Sequence, residues 1–264
     1  MNKINEESLL SLPERHARIL ALLQQHGSIS VAQFSELFRV SEVTIRKDLS
    51  YLEQQKKLYR THGSAILISP YISDRHVSEK EKRNVEEKRA IGAAAAALIE
   101  QNDSIIIASG TTMTFFAREI VPSGRLTVIT ASVPVTQILS QNRDMDVIQL
   151  GGITRSSSVS VVGPFAEQML RDFNCSKLFI GVDGIDPDFG LTTTNMLEAS
   201  LNGAMIEAAQ KVIVLADSSK FGRRGFSKIC DLEAVDRIIT DSGIQPPYLD
   251  KVRERGIEVT VVDI

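Results

Sequence analysis

Apolar residues in the first seventy positions recur at helical spacing and then change rhythm. Ile19, Leu22 and Leu23 mark one face of a first helix. Pro13 suits its opening, because a first-turn proline gives up no hydrogen bond the helix needs, and Gly27 closes it. Val31, Phe34 and Phe38 predict a second, shorter helix. Ser30 stands where its N-cap is needed, and Gln33, three residues on, completes a capping box. A short break, Phe38-Arg39-Val40, leads to Ser41, a further cap. A third helix is expected over residues 42–55, with Ile45, Leu49 and Leu52 at i, i+4 and i+7. Two short amphipathic helices joined by so tight a turn are the helix-turn-helix arrangement, here over residues 29–48. Residues 58–61 and 65–68 then flank His62-Gly63-Ser64 as a hairpin-like wing.

Packing consumes one face of the third helix and leaves Glu42, Val43, Thr44, Arg46, Lys47 and Ser50 pointing outward. Hydroxyl and cationic groups at the N-terminal end of such a helix suit base edges and phosphates in a major groove. Ser41, Thr44, Arg46 and Lys47 are the candidate DNA contacts, with Arg60 and His62 carried by the wing toward the DNA backbone. Periodicity alone also permits a trihelical interaction module that never meets nucleic acid. Charge permits DNA binding without proving it: residues 1–62 are formally +2 and the remainder −5, for a net −3.

Residues 69–88 are polar, dense in charge and poor in apolar side chains, which predicts a solvated linker that becomes helical toward Glu86. From residue 89 on, short apolar runs alternate with helical patterns. Helices are expected over 90–100, 115–120 and up to about residue 140, with strands at 105–108, 126–130, 147–150, 178–182, 212–216, 237–240 and 258–262. This is the pattern of an α/β domain with a mostly parallel sheet. The domains are thus residues 12–68, a linker over 69–88, and 89–264.

Ligands of parallel sheets gather at the carboxyl ends of the strands, and five polar loops follow the proposed ones. Ser109-Gly110-Thr111-Thr112 leads into a helix, so hydroxyls and helix-start N–H groups suit a phosphate. Thr130 and Ser132 offer hydroxyls after the next strand, and Gly151-Gly152 permits close approach after the third. Asp183-Gly184-Ile185-Asp186 supplies carboxylates that could accept from sugar hydroxyls, and Lys220 ends a fifth loop where it could pair with a phosphate. Each loop has a plainer reading as a turn or a cap; together they point to a small anionic ligand.

Cys175 and Cys230 stand alone, without C-x-x-C spacing or clustered histidines, so neither a disulfide framework nor a metal site is expected, and no cofactor. The longest apolar run, residues 91–99, is far too short to span a bilayer, and the first eleven residues hold no apolar signal core. A cytoplasmic protein without a membrane partner is expected.

The run Val40-Ser41-Glu42-Val43-Thr44-Ile45-Arg46-Lys47-Asp48-Leu49, then Leu52-Glu53 and Arg60-Thr61-His62-Gly63, resembles the signature of the DeoR family of bacterial transcriptional repressors. Lys56 and Ser64 stand where that family usually has glycines. The C-terminal loops are similar to the family's effector-binding domain, whose Rossmann-like fold is that of ribose-5-phosphate isomerases and related transferases. The resemblance implies a phosphorylated sugar as ligand, and Thr192-Thr193-Thr194-Asn195 with Glu198 match a family segment near the pocket, adding Asn195 and Glu198 to the candidate contacts. Ala108 and Ala131 replace an Asp and an Asn of many members. Two functions remain open on these grounds. One is an operator-bound repressor, dimeric or tetrameric by symmetry, relieved by a sugar phosphate. The other is a sugar-phosphate isomerase or acyl/CoA-transferase-like enzyme with an accessory helix-turn-helix. An isomerase needs a positioned carboxylate base. Pro187 stands where the isomerases have Glu, leaving Asp183 or Asp186, and Glu198 is the candidate for a transferase nucleophile. Sensing is the favoured reading, and the chain is not expected to be an enzyme.

Overall fold

The computed structural model describes residues 11–26, 28–55, 57–61, 63–67 and 76–264. The chain divides after Ser69 into two units. In the first, α1 (Leu12–His26) precedes a short strand β1 (Ser28–Ser30), α2 (Val31–Phe38), α3 (Glu42–Gln54) and the strands β2 (Leu58–Thr61) and β3 (Ser64–Leu67). The three strands pair antiparallel in the order β1-β3-β2. The capping box forms as the pattern predicts: the Gln33 amide donates to Ser30 Oγ at 3.1 Å and the Ser30 amide to Gln33 Oε1 at 2.9 Å. Ser41 Oγ caps α3 by accepting from the Thr44 amide at 3.2 Å. Strand β1 was not anticipated, because its three residues are too few to show alternation and Ser30 doubles as the cap. Ile19, Leu23, Phe34, Ile45, Leu49, Leu52 and Leu58 are fully enclosed in one core, each contributing ~1.5–3 kcal/mol by burial. The Val31 amide donates to the Gly63 carbonyl at 2.8 Å, tying the wing turn to the start of α2. His62 and Lys56 lie outside the described residues, as do residues 68–75 with the end of the wing and the start of the expected linker.

The second unit begins with α4 (Val77–Glu81) and α5 (Val85–Ala96), followed by β4 (Ser104–Ile107), α6 (Thr111–Glu119), β5 (Leu126–Thr130), α7 (Val133–Leu139) and β6 (Met145–Gln149). A hairpin of β7 (Ile153–Arg155) and β8 (Ser160–Val162) leads to α8 (Pro164–Leu170) and β9 (Lys177–Ile180). Then come β10 (Gly184–Asp186), β11 (Gly190–Thr193), α9 (Met196–Glu207), β12 (Val212–Leu215), β13 (Ser227–Cys230), β14 (Arg237–Asp241), α10 (Pro246–Glu254) and β15 (Glu258–Val262). Seven strands form a parallel sheet in the order β15-β14-β12-β9-β4-β5-β6. Both faces are covered, as parallel sheets require. Ile105, Ile107, Phe179, Ile213 and Leu215 pack with Ile91 and Phe116 on one face; Ile106, Leu178, Ile180, Val212 and Val214 pack with Leu201 and Met205 on the other.

Three expectations need correcting. The helical onset expected toward Glu86 and the helix expected over 90–100 are one helix, α5, which runs from Val85 only to Ala96, and α6 starts at Thr111 instead of 115, directly on the loop after β4. The hairpin, the small sheet β10-β11-β13 and helices α8 to α10 occupy stretches for which the alternation predicted nothing; their strands are three or four residues long. Finally, from residue 76 on, the segment expected as a solvated linker is built into this unit. The Val77 amide donates to the Ser157 carbonyl at 2.7 Å, and Lys88 is 4% exposed.

Candidate functional site

Strand β4 is the topological switch point of the sheet: the chain runs outward from it through β5 and β6, then crosses to β9, β12, β14 and β15 on the other side. Ligand crevices open at the carboxyl ends of the strands flanking such a point. The loops there are Ser109-Gly110 after β4, Asp183 after β9 and Asp217 after β12. Ser109, Asp183 and Asp217 keep the parity of Ile107, Phe179 and Leu215, so strand alternation aims them at the α5 side of the sheet. Gly110 heads α6 with φ +129°, a conformation natural to glycine, and no side chain caps that helix.

Charged side chains meet at this crevice. Lys80 of α4 donates to Asp183 Oδ1 at 2.8 Å, and Thr193 Oγ1 to Asp183 Oδ2 at 3.1 Å. Asn84, at the start of α5, donates to Asp217 Oδ1 at 2.8 Å, and the Ser219 amide to the same oxygen at 3.1 Å. Lys88 donates to the Lys80 carbonyl at 2.7 Å and also to that of Arg83, closing the turn between α4 and α5. Glu198, in the first turn of α9, is paired with Arg155 of β7 and receives the Ser109 hydroxyl at 3.5 Å.

Burial pushes the Asp183 carboxyl up, but Lys80 and Lys220 outweigh it and hold the group below the usual carboxylate range. Asp217 is held down in the same way, against its burial, by Lys220, Ser219 and Asn84. Glu198 goes the other way: burial and the neighbouring Asp183 charge raise it, and Arg155 and Lys80 only partly offset them. Burial lowers Lys88, with Asp217 opposing. Lys80, Lys88, Arg155 and Lys220 thus face Asp183, Asp217 and Glu198, with Glu87 and Glu81 also acting on Lys88, and the local balance turns more positive when Glu198 is protonated. Such a site suits an anion that also carries hydroxyl donors for Asp183 and Asp217.

Of the expected ligand contacts, the structure brings Ser109, Asp183, Glu198 and Lys220 together, beside Gly110, Thr111 and Thr112 at the start of α6. Others serve the scaffold. Thr130 is fully buried; its hydroxyl donates to the Ile107 carbonyl at 2.7 Å and accepts from the Ser132 amide at 3.0 Å. Ser132 caps α7. The Gly151 amide points at Met169 Sδ, 3.3 Å away, and a Cβ on Gly152 would meet the Val162 carbonyl at 2.8 Å. Gly184 lies against the Arg223 backbone, where a Cβ would approach the carbonyl oxygen to 2.4 Å. Asp186 has no exposed surface: it pairs with Arg224 at 2.7 Å and accepts from the Asp188 amide, so it offers no base to a ligand. Asn195 caps α9 by accepting from the Glu198 amide at 3.1 Å. Sequence reasoning missed Lys80, Asn84, Lys88 and Arg155, and took Asp217 only as the start of the fifth loop, 217–220, without a contact of its own. The spacing of 80, 84 and 88 by four suggests one helical face, but α4 ends at Glu81 and Asn84 is the N-cap residue of α5 at φ +49°, so the three come together through the turn between two helices.

In the N-terminal unit, Ile45, Asp48, Leu49 and Leu52 are buried while Glu42, Val43, Arg46 and Lys47 are exposed. Ser41 and Thr44 share a hydroxyl contact of 2.9 Å at the helix start. Arg46 lies 2.7 Å from Glu42. Arg60 bonds the Ser50 hydroxyl, and its amide donates to Glu53 at 2.9 Å, so this wing arginine is tied to α3 instead of standing apart.

A family model described as the DeoR C-terminal sensor domain matches residues 83–242, and one described as the DeoR-like helix-turn-helix domain matches residues 15–71. The chain belongs to the DeoR family of transcriptional regulators. An uncharacterized HTH-type transcriptional regulator of Bacillus subtilis, YulB, is 39% identical over 95% of this chain and 97% of its own length. A putative aga operon transcriptional repressor of Escherichia coli O157:H7 is 36% identical over 97% and 96%. These relatives are named as regulators, not enzymes, and the DeoR chain described here is a DNA-binding transcriptional regulator with an α/β sensor domain. Among solved structures, a ribose 5-phosphate isomerase from Methanocaldococcus jannaschii aligns over 52% of this chain and 55% of its own at 16% identity and a TM-score of 0.38, too loose a likeness to argue from. No helix among the described residues is long and apolar enough to cross a membrane.

Proposed function

We propose that this DeoR regulator represses a sugar-catabolism operon and releases its operator when a phosphorylated sugar enters the crevice at the ends of β4, β9 and β12. The observation that carries the reading is the gathering there of four cations and three carboxylates. The phosphate belongs by Lys220 and the uncapped start of α6, and the sugar hydroxyls by Asp183 and Asp217. Lys80 and Asn84 bond those carboxylates. A ligand that takes over these bonds frees α4, the helix nearest in sequence to the DNA-binding unit. Ligand and DNA then oppose each other by the same factor, because coupling is reciprocal. Two-fold symmetry, as a homodimer or homotetramer in the cytoplasm, places paired α3 helices on operator half-sites, with Ser41, Thr44, Arg46, Lys47, Arg60 and His62 near the DNA. A relative named GlpR, from Haloferax volcanii and 34% identical, is also named a transcriptional regulator.

The test is a thermal-shift screen of sugar phosphates on the full chain, paired with operator release. A true effector at a hundred times its Kd stabilises by ~2.7 kcal/mol and dissociates the operator; Lys220→Ala loses both responses. Absence of a response to every sugar phosphate overturns the effector class, and turnover of any of them overturns pure sensing.

A further inference from the structure

The N-terminal turn of α3 exposes an apolar side chain, Val43, with 59% of its surface in contact with solvent. At 3.6 residues per turn, Val43, Lys47, Ser50 and Gln54 run down the centre of the face opposite Ile45, Leu49 and Leu52. The polar groups around Val43 are engaged locally: Arg46 with Glu42, Thr44 with Ser41, and Ser50 with Arg60. A β-branched residue is a poorer helix former than alanine at an exposed site, so Val43 does nothing for α3 in isolation. It has no group to offer a phosphate either. In a helix-turn-helix, the N-terminal residues of the second helix are the ones that reach base edges. The apolar feature presented by bases in the major groove is the C5-methyl group of thymine.

Resting on the reading of α3 as the DNA-contacting helix, we propose that Val43 is a specificity-determining residue that packs against a thymine methyl in each operator half-site. Lys47, one turn further on, places a cation beside the same step. The half-site would therefore prefer thymine at that position over cytosine, which has no methyl and presents an N4 donor there instead of the O4 acceptor.

Uracil replaces thymine without changing the Watson–Crick edge and removes only the methyl. Duplexes enriched by the full-length protein from a random-sequence library supply the probe, and each thymine is then replaced in turn by uracil. For the wild type, one uracil per half-site, two methyls in all, should weaken binding about fifteenfold, at about fourfold for each buried methyl-sized group. Val43→Ala should weaken the thymine duplex by a similar factor and become indifferent to that uracil. Circular dichroism checks that the variant folds; Val43→Thr, which keeps the shape and one of the two methyls, provides a second variant whose uracil penalty should fall between those of wild type and Val43→Ala. An enriched duplex that tolerates uracil everywhere, or a Val43→Ala protein that keeps the full uracil penalty, overturns the assignment of Val43 alone. Failure to enrich any duplex overturns the reading of α3 itself.

Discussion

Asp48 fastens α3 to α1. Its carboxylate, 3% exposed as a residue, lies 2.6 Å from Arg15 Nε, 3.1 Å from Arg15 Nη2 and 3.2 Å from His16 Nε2. The His16 ring in turn stacks on Tyr51 of α3 at a centroid distance of 5.1 Å. Asp48→Ala removes the acceptor that Arg15 and His16 share, and the Arg15 guanidinium, whose side chain is 12% exposed, loses its carboxylate. Losing one partner of a buried pair costs roughly 3–5 kcal/mol, and the residual exposure of Arg15 places this case at about 3. The unit from residue 11 to 67 has about 57 residues and so about 3–8 kcal/mol of stability in all, at ~0.05–0.15 kcal/mol per residue. The substitution therefore removes a large share of what holds the DNA-reading surface. Amide exchange of Leu49 and Leu52 in α3 reads this directly, and should quicken on the order of a hundredfold. The double variant Arg15→Met/Asp48→Leu, which leaves no buried charge, should recover to within about 1 kcal/mol of the wild type. Acceleration of Asp48→Ala by less than about tenfold, or a double variant no better than the single one, refutes the argument that loss of the buried pair sets the cost.

Three further outcomes follow from the sensor domain. Glu198 is raised above its usual 4.5, so its contribution to stability is full below that value and is lost as pH rises through the folded-state pKa; Glu198→Gln removes the loss, and the gap in urea midpoint between variant and wild type should move in the variant's favour from pH 5 to pH 8. An identical gap at both values would sink this. Gly190 sits at φ +103°, where an added Cβ would lie 2.2 Å from the Cys230 carbonyl oxygen; Gly190→Ala should cost at least ~1–2 kcal/mol from the backbone alone and lower the melting temperature by several degrees, and an unchanged melt means the β11–β13 edge simply shifts. Burial and the neighbouring Asp231 charge push the Cys230 thiol up to about 11, so its alkylation at pH 8 should be on the order of a hundredfold slower than that of a free thiol; labelling at the free rate would show the site to be open.

What could be read in the sequence, and what could not, divides along a physical line. Strands β5 and β15 were expected at their observed limits, because a buried parallel strand shows its burial in composition. Helices α2 and α3 declared their starts through Ser30 and Ser41, whose side chains do their work within three residues. Local chemistry was legible because its partners are local. The crevice is different: Lys80, Asn84 and Lys88 lie in a charge-dense stretch that reads as solvated face, and only the partners Asp183 and Asp217, more than a hundred residues away, give Lys80 and Asn84 a role. Hydroxyls after strands failed for the opposite reason, since Thr130 and Ser132 are spent on the Ile107 carbonyl and the α7 cap. The pair Asp183 and Asp186 makes the point within one loop. Asp183 continues the parity of Phe179 toward α5 and the lysines. Three residues later the chain has already entered β10, pairing with β11, and Asp186 is turned away to Arg224. Two carboxylates of equal chemistry part ways because their offset of three is odd and spans a change of sheet.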